Sequence, residues 1–140
     1  MNPQPYDQMA PLDLLELCDY REARGEGMIG KRGVAWVVMN RANHPGWWGH
    51  DIVNVILKKW QFSSFNEGDA NETVWPTDET EQAFIDCREA CAGAYYGTYT
   101  DPTVGATYYH DISIPEPPLW IRAGYVLTLA VGRLKFYREV

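Results

Sequence analysis

Two glutamates, Glu22 and Glu26, stand four residues apart in the stretch running from Tyr20 to Glu26. A carboxyl group held away from solvent keeps its proton near neutral pH, and such an acid can protonate a leaving oxygen. Two carboxyl groups at a suitable separation perform glycoside hydrolysis, one as acid and the other as base or nucleophile. Glu22 falls one helical turn beyond Cys18, on the stripe formed by Leu14, Leu15 and Cys18. A carboxylate there loses solvent, so its pKa should rise. Glu26 is one turn further, about 5–6 Å away between Cβ atoms if the helix continued, but Gly25 interrupts it. The same residues also fit a simpler reading, a solvated helix end whose glutamates pair with Arg21 and Arg24.

Helices must position these acids. Asp13 and Glu16 place acidic charge in the first turn of a helix starting near Pro11 or Leu12, and Gly25 stops it. A second helix over roughly 30–42 is apolar nearly all round through Val34, Ala35, Val37, Val38 and Met39, the pattern of a central buried helix. Asp51 can cap a short helix over 52–59 that turns Ile52, Val55 and Ile56 inward. Residues 66–78 are polar and turn-rich and read as a surface insertion. Asp78 followed by Glu81 resembles a capping box, opening a helix to about Tyr96 with a stripe of Phe84, Cys87, Cys91 and Ala94.

The texture then changes. Residues 105–111 read as a strand, 114–120 as an extended Pro-rich loop, and the C-terminal segment as a hairpin turning at Val131-Gly132-Arg133. The expected class is α+β, mainly helical, with a small antiparallel sheet near the C-terminus. Residues 1–11, with three prolines, read as a flexible leader, and 12–140 as a single domain, in keeping with a chain of 140 residues.

A net charge of −7 argues against nucleic acid as partner and against attraction to anionic lipid. No apolar run reaches membrane-spanning length, so no integral membrane segment is expected. The first residues lack the basic and apolar regions of a signal peptide, which implies synthesis in the cytoplasm and a separate route to any target outside it. Six Trp and nine Tyr serve either as core filling or as platforms for sugar rings, with Trp47, Trp48, Trp75 and Trp120 as candidates. The three cysteines, Cys18, Cys87 and Cys91, cannot complete a disulfide framework and read as small core residues. His44, His50 and His110 are dispersed and no HExxH occurs, so neither a metal nor a cofactor is expected.

The ordered set of motifs resembles the SleB/CwlJ family of cell-wall hydrolases, the catalytic domain of spore-cortex-lytic enzymes. Glu22-Ala23-Arg24-Gly25-Glu26, Gly30, the apolar run Val34 to Met39 and Asn40-Arg41 match its first block. Gln61-Phe62-Ser63 matches a second, and Gly105-Ala106-Thr107-Tyr108-Tyr109-His110 a third. Trp120 and the closing Phe136-Tyr137-Arg138 complete the series over about residues 12–138. Lys31-Arg32 stands where the family usually has Gln-Val, and Lys135 where it often has a histidine.

The resemblance implies a lysozyme-like fold related to goose-type lysozymes and lytic transglycosylases. It implies the peptidoglycan glycan strand as partner and cleavage of the β-1,4 bond between N-acetylmuramic acid and N-acetylglucosamine. Glu22 matches the catalytic acid, and Glu26 is either a second carboxylate or a structural acid paired with Arg24 or Arg41. The expected substrate-contacting residues are Asn40, Gln61, Phe62, Ser63, Tyr108, His110, Trp120 and Tyr137. Tyr108 shares a strand face with His110, which sends Tyr109 to the core. Lys31, Arg32 and Lys135 are either surface charge or partners for substrate carboxylates. Acting as a monomer, the chain would be a lytic transglycosylase or muramidase, for example a phage endolysin released through a holin-type route. The alternatives are a non-catalytic glycan-binding module, a peptidase using Cys18 and His110, and cleavage of chitin or chitosan by the same acid.

Overall fold

Pro11 opens the first helix, α1 (Pro11–Ala23), where its missing N–H is no loss and its fixed φ suits a helix start. The computed structural model describes residues 1–59 and 61–140. The other α-helices and strands are α2 (Met28–Asn43), α3 (Ile52–Leu57), α4 (Gln82–Tyr96), β1 (Tyr108–Asp111), α5 (Leu119–Gly124), β2 (Tyr125–Val131) and β3 (Leu134–Glu139), with single 3-10 turns at Tyr6–Gln8 and Ser63–Phe65. Trp60, where the expected 52–59 helix gives way to the next segment, lies outside the described residues. Asp51 caps α3 by accepting from the Asn54 N–H, and Ile52, Val55 and Ile56 are buried as expected. No helix among the described residues is long and apolar enough to cross a membrane.

Helix α2 is the centre of the molecule, packed against α1, α3, α4 and β1. One face joins the main core with Leu14, Leu15 and Cys18 of α1, Val55 and Ile56 of α3, and Cys91 and Ala94 of α4. Its other face, through Val34 and Val37, meets Ala23, Ala106, Leu134 and Phe136. The sheet is antiparallel in the order β1-β3-β2, with Tyr109 opposite Phe136 and His110 opposite Lys135. Gly132 turns the β2–β3 hairpin at φ 55°, a left-handed conformation that glycine adopts without strain.

Gly33 couples the sheet to the helices. A Cβ at this position would lie 2.6 Å from Cζ of Phe136, so the phenyl ring seats directly on the α2 backbone. A glycine in a helix interior costs about 0.5–1 kcal/mol relative to alanine, and here it allows the close approach of β3.

Two buried cations anchor the irregular segments. Arg21 donates to the carbonyls of Val74 (2.8 Å), Glu72 (2.7 Å) and Ser64 (3.1 Å) and to the Tyr6 hydroxyl (2.9 Å). Its guanidinium lies within 4.8–5.3 Å of the Phe65, Trp75 and Tyr6 ring centres. The polar 66–78 segment and the leader therefore both fold onto this one side chain, and Met9 of the leader is buried. Lys31, read as possible surface charge, is buried and donates to the carbonyls of Arg24 and Glu26. It closes the loop between α1 and α2.

Two local expectations change. Helix α4 begins at Gln82, not after Asp78. The Asp78 carboxylate is taken by the N–H and hydroxyl of Thr80, while Glu81 accepts from Thr77 and from the Tyr20 hydroxyl. The Pro-rich segment ends in a short helix, α5, which sequence reading missed. The Pro118 carbonyl accepts from the N–H groups of Ile121 and Arg122, and Ile121 is fully buried.

Gly33→Val should destabilise the fold by about 1–3 kcal/mol, the usual cost of forcing extra atoms into a packed core. Urea unfolding will measure it, and combining it with Phe136→Leu should recover part of the loss. Glu16 supplies a pH test. It is buried at 6% exposure, and desolvation pushes its carboxyl up to about 7 against the opposing charge of Arg88. Because the folded state then binds the proton more tightly than the unfolded chain, this group's contribution is full below about pH 4.5 and is lost as pH rises toward 7. The wild type should lose roughly 2–3 kcal/mol more than Glu16→Gln across that interval in parallel urea titrations.

Candidate active site

Glu22 lies on the last turn of α1, half-buried, and faces β1. The Tyr109 hydroxyl donates to its Oε1 at 2.5 Å. Tyr109 is held from behind by Phe136, its cross-strand neighbour, with ring centres 5.6 Å apart and planes 32° apart. Burial first, then the adjacent Glu22 charge, pushes the Tyr109 phenol well above its ordinary range, so it remains a donor. The expectation that Tyr109 goes to the core holds only in part: its ring packs against the core, but it also lines the cleft beside Tyr108, with its hydroxyl on Glu22. Strand alternation assigns the side chain's direction and says nothing of how far a tyrosine reaches.

Glu22 borders a cleft of about 550 Å³. Gln61, Phe62 and Ser63 enter it from the segment after α3. Tyr108, His110 and Asp111 enter from β1, Trp120 from α5, and Trp47 from the loop after α2. Trp47 and Trp120 are each 54% exposed, aromatic faces available to a ligand. Tyr108 and Trp120 meet edge to face, with ring centres 6.1 Å apart. A smaller hollow of about 300 Å³ lies beyond Glu22, bordered by Arg24, Glu26, Asp111 and Leu134. The two hollows share Glu22, Asp111 and Leu134. Another hollow of about 610 Å³ near Tyr6 and Trp75 contains one carboxylate, Glu72, which already accepts from the Tyr6 hydroxyl.

His110 is oriented from both sides. Its Nδ1 faces the Asp111 carbonyl at 2.9 Å, which can only accept, so Nδ1 carries a proton. Its Nε2 then accepts from the Tyr137 hydroxyl at 2.8 Å, with the two rings stacked. Asp111 is held below the ordinary carboxylate range, first by the Ser113 N–H and then by Arg133. The Asp111–Arg133 contacts measure 2.9 and 3.2 Å.

Seven expected residues thus come together at the cleft: Glu22, Gln61, Phe62, Ser63, Tyr108, His110 and Trp120. Three expected residues have other work. Asn40 donates to Asp101 and to the Ala106 carbonyl, both at 2.9 Å, and ties α2 to the chain entering β1. Tyr137 stands behind His110, outside the cleft lining. Glu26 borders only the smaller hollow and accepts from the Arg133 N–H at 3.0 Å. It pairs with neither Arg24 nor Arg41, because the short α1–α2 loop turns it toward the β2–β3 hairpin. Of the tryptophans, Trp48 is buried and Trp75 stacks near Tyr6, so both pack. Arg32 lies over Tyr99. Sequence reasoning missed Tyr109, Asp111 and Arg41 at this site. Arg41 could have been suspected, as a charge ending an otherwise apolar helix.

Cys18 is fully buried, and burial pushes its thiol well above the ordinary range. A nucleophile needs the accessible thiolate, so the Cys18/His110 peptidase does not fit. Among the described residues no group of three or more His, Cys, Asp or Glu side chains is placed to hold a metal ion.

Comparison with known proteins gives a consistent picture. The family model described as Cell Wall Hydrolase matches residues 25–137, starting three residues after Glu22. The spore cortex-lytic enzyme of Halalkalibacterium halodurans is 35% identical over 100 residues, covering 71% of this chain and 27% of that protein. The chain therefore spans about a quarter of that relative's length. The crystal structure of the catalytic domain of the Bacillus cereus SleB protein matches with a TM-score of 0.71 at 25% identity, over 96% of this chain and 93% of that one. The catalytic domain of the germination-specific lytic transglycosylase SleB from Bacillus anthracis matches with a TM-score of 0.69 at 24% identity, over 96% and 98%. The α+β, lysozyme-like fold expected from sequence is the one these domains share.

Tyr109→Phe keeps the ring stack on Phe136 and removes only the hydroxyl. It should lower stability by about 0.5–1.5 kcal/mol, the usual net range for an intramolecular hydrogen bond. Urea unfolding with an unchanged m-value is the check.

Proposed function

The chain belongs to the cell wall hydrolase family, and from that premise we propose that it cleaves the β-1,4 bond between N-acetylmuramic acid and N-acetylglucosamine in peptidoglycan. Glu22 is the general acid and then the general base, and the reaction is that of a lytic transglycosylase. The observation that carries this reading is the Glu22 carboxyl, gripped by Tyr109 at the edge of an aromatic cleft. The naming of the Bacillus anthracis domain as a lytic transglycosylase supports the same reaction.

Because Oε1 takes the Tyr109 hydroxyl, Oε2 is the oxygen left for substrate. Glu22 gives its proton to the glycosidic oxygen as the bond from the muramoyl C1 breaks. The carboxylate then takes the proton of the muramoyl 6-hydroxyl as that oxygen closes on C1, giving a 1,6-anhydro ring and restoring the acid. Atoms and protons balance with one carboxyl group and no water. Trp47 and Trp120 supply faces for sugar rings, and Gln61 can donate to and accept from an N-acetyl group.

Hydrolysis is the second reading, and one observation favours it. Asp111, kept ionised by Ser113 and Arg133, borders the same two hollows as Glu22 and could activate a water.

Purified peptidoglycan digested by wild type and by Glu22→Gln decides between them by mass spectrometry. Anhydro-muramoyl ends from the wild type, reduced by about 100-fold or more in the variant, are expected for loss of a general acid. Reducing muramoyl ends would instead make the enzyme a muramidase and direct attention to Asp111. Equal digestion by both proteins would remove Glu22 from the mechanism.

A further inference from the structure

The cleft is bordered by a cation that the reaction above does not use. Arg41, on the last turn of α2, is 5% exposed and still lines the cleft that holds Glu22. Its Nε donates to the Thr107 carbonyl at 2.7 Å, and its guanidinium carbon lies 5.5 Å from the Phe62 ring centre and 5.7 Å from that of Trp48. Nη1 is buried and has no acceptor among the described residues. Nor does any carboxylate among the described residues form an ion pair with it; the arginine ion pairs belong to Arg88, Arg122 and Arg133. Burial accordingly lowers its pKa from the usual arginine range.

Arg21 shows that this is not how a buried arginine must end. It is just as buried, yet it reaches four oxygen acceptors. An unmatched N–H on a buried charge is costly, and a counter-group arriving from outside offsets that cost. The other carboxyl groups bordering the cleft belong to Glu22 and Asp111, the latter held ionised, and the whole chain carries −7. An anionic ligand is therefore attracted at Arg41 and repelled around it.

The glycan reading supplies such a group, and this inference rests on that reading. The two alternating sugars of the strand differ in one substituent, the lactyl ether of the muramoyl residue, whose carboxyl group is amide-bound where a peptide stem is attached and is a free carboxylate where none is. An enzyme that cuts after only one of two otherwise alike sugars needs a reader of that difference. A guanidinium fork matches a carboxylate with two N–H groups, where a neutral N-acetylglucosamine offers nothing equivalent. We propose that Arg41 is a specificity-determining residue that binds the free lactyl carboxylate of a muramoyl residue carrying no peptide stem and so sets the register of stem-free glycan at Glu22.

The test measures binding by calorimetry in the Glu22→Gln protein, which should not turn over. Three ligands are compared: peptide-stripped glycan strands with free lactyl carboxylates, the same strands with those carboxyls reduced to alcohols, and chitohexaose. The stripped strands should bind at least about tenfold tighter than the other two, which corresponds to about 1.4 kcal/mol. Adding Arg41→Gln should erase that preference and leave chitohexaose binding within about twofold, and Arg41→Lys should restore part of it. Equal binding of native and carboxyl-reduced strands with Arg41 intact would overturn the inference, whatever the variants do. So would an Arg41→Gln protein weakened equally toward all three ligands, which would make Arg41 a clamp on Thr107 alone. Failure of the Glu22→Gln protein to bind any of the three would overturn the glycan reading itself, and this inference with it.

Discussion

A phenylalanine ring resting on a bare helix backbone sets the geometry of this protein. Phe136 can meet α2 only because Gly33 has no side chain, and that contact fixes how far β3 stands from the helices. β1 is paired to β3 with Tyr109 opposite Phe136, so the same contact fixes Tyr109. The Tyr109 hydroxyl then reaches Glu22, at the end of a different helix. Four residues from four elements thus form one line of contact from the core to the acid. A close-packed interior transmits small displacements, so a shift of the ring at Gly33 would arrive at the carboxylate.

Around this line, buried cations do what regular structure does elsewhere. Arg21 gathers the carbonyls of the 64–74 segment, and Lys31 gathers those of the turn after α1. Loops cannot satisfy their carbonyls through a ladder, and a buried carbonyl without a donor is expensive. One arginine meeting three carbonyls solves this for a whole segment. Neighbouring charges along the Tyr20–Glu26 stretch therefore have unlike fates: Arg21 goes inward, Glu22 faces the cleft, and Glu26 turns to the hairpin. Asn40 and Arg41 show the same division one helix later, with Asn40 spent on the backbone before β1 and one nitrogen of Arg41 left unmatched.

The cleft explains how a family fold of this size can act with few ionisable groups. Walls supplied by Trp47, Tyr108 and Trp120 offer area for sugar rings, and two carboxylates of unlike environment border it. Asp111 is held ionised by a neighbouring N–H and a guanidinium, whereas Glu22 receives one hydroxyl.

Much of this was legible in the residues themselves. The spans of α1 and α2, the Asp51 cap, the buried stripe of α4 and the hairpin at Gly132 follow from periodicity, capping chemistry and turn residues, all local properties that a linear chain displays. Seven of the cleft residues were identified through motifs in the right order. What only the tertiary structure decided concerns distance across the fold. That Tyr109 touches Glu22 spans 87 positions, and no local pattern encodes the reach of a phenol across a helix–sheet boundary. The burial of Lys31, the turning of Glu26 toward Arg133 in the distant hairpin, and the pairing of Asn40 with Asp101 are of the same kind. Sequence determines which side chains could be an acid, a cation or an aromatic wall. Which of them meet is settled by packing, because the partner of a polar group is chosen by whatever backbone the close-packed core brings within hydrogen-bond reach.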